Sequence, residues 1–322
     1  MTIPAVLEKK HLDACVTLFM ENLSRQAAQT PALATGHIDP ADVRERLVRL
    51  MEEAGGTVLT DGAGVVGYMA GWEIEDFFGS PRGSYTPEWA HATRPGTGRE
   101  AGQALYRASG QRWVDHGCRV HVANLFHADT QARDAFSWNG FGYLCLDAVR
   151  RVEPIEATLP DGFCIRPARS ADGAAVLSMA SCVNQHLILS PVFRASSEED
   201  TPEDAARWIE GAGCHTWIAW KGDRPVGYMK CEPVEDGAAW IVRGPRSFAI
   251  NGAYVDPAER AGGIARALLS AIMTWAVESG MERCSVDCEA ANIEGARFWL
   301  RHFQPVCVSM LRRLDGRLFA PA

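Results

Sequence analysis

The sequence has no apolar run long enough to cross a bilayer. Stretches such as AIMTWAV end after seven residues, where a spanning helix needs about 20. Its first residues, MTIPAVLEKKHLD, put charge where the apolar centre of an export signal belongs, so a cytoplasmic protein is expected. Nor is there a surplus of positive charge. The formal net charge is −8 and the isoelectric point is near 5.6, which argues against nucleic acid or an anionic membrane as a partner held by bulk electrostatics. Ten cysteines in 322 residues are too few for a disulfide scaffold, and most, such as Cys164, Cys182 and Cys307, stand singly inside apolar segments as reduced core thiols do. Cys284 and Cys288 form C-x3-C without a second Cys or His pair at zinc-finger spacing, so no metal site is expected. Two nucleotide signatures are also missing. There is no G-x-x-x-x-G-K-[ST], and no G-x-G-x-x-G follows a strand in a βαβ setting, which disfavours both a P-loop and a dinucleotide fold.

What the chain does contain is a repeat. With 47% hydrophobic and 22% charged residues it reads as an ordinary globular protein, and its length suits two domains of about 150 residues each. Val66-Gly67-Tyr68-Met69 recurs as Val226-Gly227-Tyr228-Met229, an offset of 160, and the helix-ending Gly117 recurs as Gly280, an offset of 163. The larger shift pairs Glu88-Trp-Ala-His91 with Asn251-Gly-Ala-Tyr254, and Asp129 with Asn292.

Each half reads in the same order. An amphipathic helix (Leu12 to Leu23; Ala174 to Leu187) precedes a second (Pro40 to Glu53; Pro202 to Gly211). A strand hairpin follows, then a third strand, a loop, a helix, a strand, a helix and a last strand. That order is α/β, with a mixed sheet in each half. Residues 153–161, EPIEATLPD, hold two prolines and no periodicity, so the expected division is 1–153, a linker over 154–162, and 163–322.

The chemistry is concentrated between Asn251 and Pro305. A strand, Ala253-Tyr254-Val255, ends at Asp256-Pro257 because proline brings no ladder donor. Arg260-Ala-Gly262-Gly263-Ile264-Ala265 comes next, and Ile264, Leu268, Ile272 and Trp275 follow at helical spacing. A glycine loop that opens a helix directly after a strand leaves backbone N–H groups at the positive end of the helix dipole, where a pyrophosphate can accept them. Arg260 can add a charge-assisted contact.

Val255-Asp-Pro-x-x-Arg260-x-x-Gly263-x-Ala265 resembles the acetyl-CoA signature of the GNAT (N-acetyltransferase) superfamily, Q/R-x-x-G-x-G/A. Asn292-x-x-Gly295-x-x-Phe298-Trp299 resembles that family's next motif, N-x-x-A-x-x-aromatic-Tyr. The resemblance covers most of 163–314 and, through the repeat, extends more faintly to 5–150. It implies a tandem of two GNAT domains that uses acetyl-CoA, or another acyl-CoA, as co-substrate. The cofactor-binding set it implies is Val255, Arg260, Gly262, Gly263, Ile264, Ala265 and Asn292. It also implies a splayed strand pair, Ala249 to Val255 against Cys284 to Glu289, with the pantetheine arm in the gap.

The pattern departs from the family where proton transfer is concerned. Trp299, and Phe136 in the first half, stand where relatives carry a Tyr that protonates the leaving thiolate; neither is a useful acid. Ala249 stands at a catalytic Glu position and Asn251 at another acid/base position, leaving Tyr254, Asp287 and Glu289 as substitutes, each of which is equally readable as a solvated or structural group. In the first half Glu100 replaces the central glycine and would repel a pyrophosphate, although Thr97, Gly98 and Arg99 can form another anion-binding turn. His91 is read as a core or surface histidine.

The expected acceptor is an amine of a small molecule or peptide, drawn to Glu232, Glu235 and Asp236 and to the loop over 186–199. Two alternatives stay open: a mycothiol-synthase-like acetyltransferase, which is also a tandem, and an acyl-CoA-binding protein without catalysis.

Overall fold

The structure is a computed structural model and describes residues 2–195, 199–234 and 239–319. It forms two compact units, one comprising Met1–Asp147, Ala239–Ile241 and Pro305–Ala322, the other Ala148–Ala238 and Val242–Gln304. Both are mixed α/β.

In the first unit β1 (Ile3–Val6), β2 (Gly56–Asp61), β3 (Gly64–Ala70) and β6 (His91–Thr93) form one sheet in the order β1-β2-β3-β6. Strands β4 (Trp72–Phe77), β5 (Ser80–Thr86), β7 (Val120–Phe126) and β14 (Gln304–Arg313) lie in the order β4-β5-β7-β14. Helices α1 (Leu12–Gln29), α2 (Pro40–Ala54), α3 (Gly98–Asp115) and α4 (Thr130–Trp138) pack on these strands. The helix starts follow local chemistry: Asp39 caps α2 by accepting from Ala41 N at 2.7 Å, with Pro40 in the first turn, and Asp129 caps α4 by accepting from Ala132 N at 2.9 Å.

The hairpin β4–β5 goes beyond the expected element order. Three left-handed residues, Asp76, Phe78 and Gly79, supply its turn. The strand equivalent to Asn251–Val255 is also broken: β5 pairs in parallel with β7 up to Thr86, and after Pro87 the chain resumes as β6 on the other sheet, paired with β3. Proline cannot donate to a ladder, so the interruption falls where the sequence puts it.

In the second unit β9 (Phe163–Pro167), β10 (His215–Lys221), β11 (Arg224–Pro233), β12 (Ser247–Val255) and β13 (Arg283–Glu289) follow one another in the sheet in the order β9-β10-β11-β12-β13. One face is covered by α5 (Gly173–Ile188) and α6 (Pro202–Glu210), through Val176, Met179, Trp208, Ile218 and Tyr228. The other is covered by α7 (Ile264–Glu278) and α8 (Ile293–His302), through Met229, Phe248, Ile250, Leu268, Ile272 and Trp299.

The expected contiguous division at 153–163 differs from these units because the final strands are exchanged. β14, last in sequence, belongs to the first unit, antiparallel to β7 from Cys307↔Phe126 to Arg313↔Val120, with Val308 and Met310 in that core. β8 (Gly142–Arg151) passes into the second unit at Ala148, and Val152 just beyond it donates its N–H to Glu282 O at 3.0 Å. Residues 154–162 carry no regular element, yet they are not a free tether: Ile155 packs on the core that α7 lines, and Ser270 Oγ on α7 donates to Ile155 O at 2.5 Å. No helix among the described residues is long and apolar enough to cross a membrane.

Candidate functional site

Strands β12 and β13 run in parallel and pair only from Ser247↔Arg283 to Ile250↔Val286. Beyond that point they separate. β12 stays paired to β11 as far as Gly227↔Val255, so its other edge, from Asn251 to Val255, faces the gap. The divergence begins at a bulge: Lys230 pairs with Gly252 and Cys231 with Ile250, which leaves Asn251 as the extra residue. A bulge bends and twists its strand, and here it does so where the neighbour departs.

The gap opens into a cavity of about 690 Å³, a size typical of small-molecule sites. Its walls are mainly apolar: Met229, Ala253, Val255, Ile264, Leu268, Phe298 and Trp299 from the side of α7 and α8, and Val183, Tyr228 and Tyr254 from the side of α5. The cavity therefore reaches both faces of the sheet. Arg260, Arg266, Arg297 and Arg301 surround it, with Glu259 and Glu294 as opposing charges. Glu259 is neutralised by Lys221 at 3.0 Å and Arg224 at 2.5 Å.

At one end lies the glycine turn. Ala261 and Gly263 have φ of 64° and 85°, the left-handed region that only glycine enters freely. Helix α7 starts there, and its first bond runs from Ala267 N to Gly263 O at 2.9 Å. The N–H groups of Ile264, Ala265 and Arg266 thus precede the first intrahelical donor. Arg260 Nε donates to Val255 O at 3.1 Å, which ties the turn to the end of β12.

The expected site residues fall into groups. Tyr254, Val255, Arg260, Gly263, Ile264, Ala265 and Asn292 all line the cavity. Gly262 does not: a Cβ there would meet only Glu259 O at 3.6 Å and Pro160 Cγ at 4.0 Å, so neither space nor φ demands its glycine. Asn292 has a structural task as well. Its Oδ1 accepts from Gly295 N at 3.1 Å, capping α8, and lies 3.3 Å from His186 Nε2. Asn251, Asp287 and Glu289 are outside the cavity lining; Asn251 and Asp287 are exposed.

Alternation explains the placement of the acidic residues. Cys284, Val286 and Cys288 pack towards α7 and α8, so Ser285, Asp287 and Glu289 point to the face that α5 covers. Glu289 is largely buried and ion-paired with Arg194; burial pushes its carboxyl above the usual range, against the pull of the guanidinium. Tyr254 hydrogen-bonds with Cys182 on α5, and its hydroxyl is raised above the usual phenol value, first by burial and then by Cys182. Glu232 lies 3.8 Å from Lys230, whose ammonium sits 4.0 Å from the Trp208 ring centroid and is lowered by burial. Glu235 and Asp236 lie outside the described residues.

Arg266, Arg297 and Arg301 were not in the expected set, yet all line the cavity, as does His186, which was expected only as the start of the acceptor loop. The signal for two of them was readable: Ile293, Arg297 and Arg301 recur at four-residue steps on α8 and so share one face.

The equivalent place in the first unit is closed. Met69, His91, Gly98, Gly102, Leu105, Ala132 and Phe136 enclose only about 10 Å³, no more than one water needs. Thr97 Oγ1 donates to Arg94 O at 2.7 Å, Gly98 has φ of 69°, and the Glu100 carboxylate folds over it, 2.5 Å from where a Cβ would stand. Arg99 is engaged by Glu100 at 4.0 Å, Asp134 at 3.9 Å and the Trp138 ring at 4.4 Å. The expectation of an alternative anion-binding turn over Thr97, Gly98 and Arg99 thus meets a turn already covered by the chain's own carboxylate. His91 is a core histidine, its Nε2 bonded to Asn124 O at 2.9 Å, and Glu88 accepts from Ile241 N at 3.1 Å. Among the described residues no group of three or more His, Cys, Asp or Glu could hold a metal ion.

A sheet with two parallel strands splayed around a bulge, and a glycine turn opening a helix at the mouth of the gap, defines an acyl-CoA N-acyltransferase type of fold. The Acetyltransferase (GNAT) family model matches residues 184–303, so the second unit carries a GNAT domain. No curated protein matches the chain in sequence. Among solved structures, the chain is similar to a GCN5-related N-acetyltransferase from Sphaerobacter thermophilus, at 13% identity over 97% of this chain and 95% of that one, with a TM-score of 0.57. A tandem GNAT protein from the clavulanic acid biosynthesis pathway matches at 14% identity over 100% of both chains, with a TM-score of 0.50. The GCN5-related glucosamine N-acetyltransferase region of a fungal multi-domain β-N-acetylglucosaminidase matches at 14% identity over 97% of this chain and 38% of that one, with a TM-score of 0.54. At such identities the likeness is one of fold, and that fold is the tandem GNAT arrangement.

Proposed function

We propose that the protein is an acetyl-CoA-dependent N-acetyltransferase that works through its second unit and delivers the acetyl group to an amine of a small molecule or peptide. The observation that carries this reading is the open gap between β12 and β13, ending on the left-handed turn at Gly263. The residues present fit the co-substrate. The N–H groups of Ile264, Ala265 and Arg266 suit a pyrophosphate, Arg260 and Arg266 add positive charge, and the apolar walls suit a pantetheine arm. When bound, acetyl-CoA supplies a thioester carbonyl open to attack by an amine.

The chain's own contribution is positional and electrostatic. The exposed edge of β12 from Asn251 to Val255 offers backbone N–H groups towards the gap, the kind of fixed donor that stabilises developing negative charge on oxygen. Asp287 and Glu289 share a face with Tyr254 and can orient a cationic amine and accept its proton, directly or through water. Trp299 is buried and packs on Phe303; as an indole it serves as wall rather than acid.

The test is binding of acetyl-CoA by protein freed of nucleotide, with thiol release followed over a panel of amines. Saturable binding that Gly263→Glu weakens by about 100-fold, equivalent to about 2.7 kcal/mol, is the expected result. No binding, or no effect of the substitution, contradicts the reading. The departures at Trp299 and Ala249 favour the non-catalytic alternative, which the same assay separates: tight binding with no turnover on any amine would establish it.

A further inference from the structure

Arg194 and Glu289 meet on the face of the second unit's sheet that α5 covers. Glu289 ends β13, three residues past the last β12–β13 pair at Val286, and its side chain is 13% exposed. Its ion-pair partner, the half-exposed guanidinium of Arg194, is carried by the turn after α5 and not by a strand or helix. An ion pair with one partner this exposed is a weak one, so another cation can displace Arg194 at small cost.

The turn itself is closely built. Phe193 N donates to Leu189 O at 3.1 Å and Arg194 N to Leu187 O at 2.8 Å. Phe193 has φ of 51°, a region that bulky side chains seldom enter and that is often kept for function. Its apolar side chains face outward: Leu189 is 63% and Phe193 74% exposed. A carboxylate held by a replaceable cation, beside outward apolar side chains, is complementary to a ligand with a cationic head and an apolar body.

We infer that Arg194 holds, in the acceptor-free protein, the place that the acceptor's ammonium takes at Glu289, and that the acceptor is an amine on an apolar body resting against Leu189 and Phe193. This rests on the reading of the second unit as an amine acetyltransferase and names its acceptor class. Arg194 is then a specificity-determining residue: a weak amine cannot displace it, and a neutral molecule gains nothing by doing so.

The experiment is calorimetric titration of the full chain, free of acyl-CoA, with 2-phenylethylamine and with its neutral counterpart 2-phenylethanol. Arg194→Ala is expected to tighten amine binding by up to about fivefold and to leave the alcohol unchanged, while Arg194→Lys, which keeps a cation, stays near the parent. Glu289→Gln is expected to abolish the preference for amine over alcohol and, in the double variant, to cancel the gain from Arg194→Ala. If Arg194 is only a staple for its turn, Arg194→Ala weakens amine binding or leaves it unchanged, and the inference is overturned; a preference that survives Glu289→Gln overturns it as well. Acetyl-CoA binding on the same samples separates the two levels. Intact acetyl-CoA binding without amine preference removes only the acceptor class, whereas amine binding without acetyl-CoA binding removes the transferase reading.

Discussion

The two units carry the same pattern, yet among the described residues their equivalent clefts differ: about 690 Å³ in the second against about 10 Å³ in the first. Three pairs of positions related by the 163-residue shift account for the difference. Gly263, left-handed and bare, is Glu100 in the first unit, whose carboxylate folds over Gly98. Ala265, a cavity residue, is Gly102, where a Cβ would come within 2.8 Å of Ala135 Cβ, so α3 lies tight against α4. The bulge at Asn251, which keeps β12 continuous, is a full break after Pro87, which sends β5 and β6 to different sheets. The fold permits a cofactor cleft; residues at the loop, the helix contact and the strand decide whether it stays open.

Exchanging residues between the units sharpens the comparison. The largest effect is expected from Gly263→Glu, which gives the second unit the first unit's residue: acetyl-CoA affinity falls by about 100-fold or more, measured by calorimetry, with the far-ultraviolet circular dichroism retained. Gly263→Ala isolates the backbone contribution, about 1–2 kcal/mol for a left-handed alanine. Next, Phe136→Ala, at 2% exposure in the closed core, should cost about 3–5 kcal/mol of stability in chemical denaturation. Phe298→Ala, on the wall of the open cavity, should cost less than half as much and raise KM for acetyl-CoA instead.

A smaller and graded effect concerns pH. Burial holds the Glu289 carboxyl above its ordinary value, and an ammonium requires the ionised form. Amine binding should therefore fall as pH drops through a midpoint above the usual glutamate range, by up to about tenfold per pH unit below it, and Glu289→Gln should flatten that dependence. The smallest effect is expected from Glu100→Gly: removing the carboxylate does not separate α3 from α4, so titration should still find no second acetyl-CoA.

Much of this was legible in the sequence, for physical reasons that differ by element. The Arg260 to Ala265 loop could be read because its spacing, Arg260-x-x-Gly263-x-Ala265 between a strand and a helix, resembles a family motif, whereas a glycine pair alone is a common turn feature; the splay of Ala249 to Val255 from Cys284 to Glu289 followed from the same resemblance. The exchange of β14 into the first unit was not legible, because strand partners are chosen by long-range pairing and a repeat gives each half the same pattern. The ion pair of Arg194 with Glu289 was hidden for a related reason: the two residues are 95 positions apart and meet only through the turn after α5. His186 was read only as the edge of the acceptor loop, because a helix-terminal histidine has no spacing that marks it as a cavity residue.

The most direct test is the number of acetyl-CoA molecules bound per chain, counted by native mass spectrometry on the parent protein and on Gly263→Glu. One per chain, lost on substitution, is the result expected of an open second cleft and a closed first one. Two per chain, or one that survives the substitution, would place the cofactor elsewhere and contradict the account.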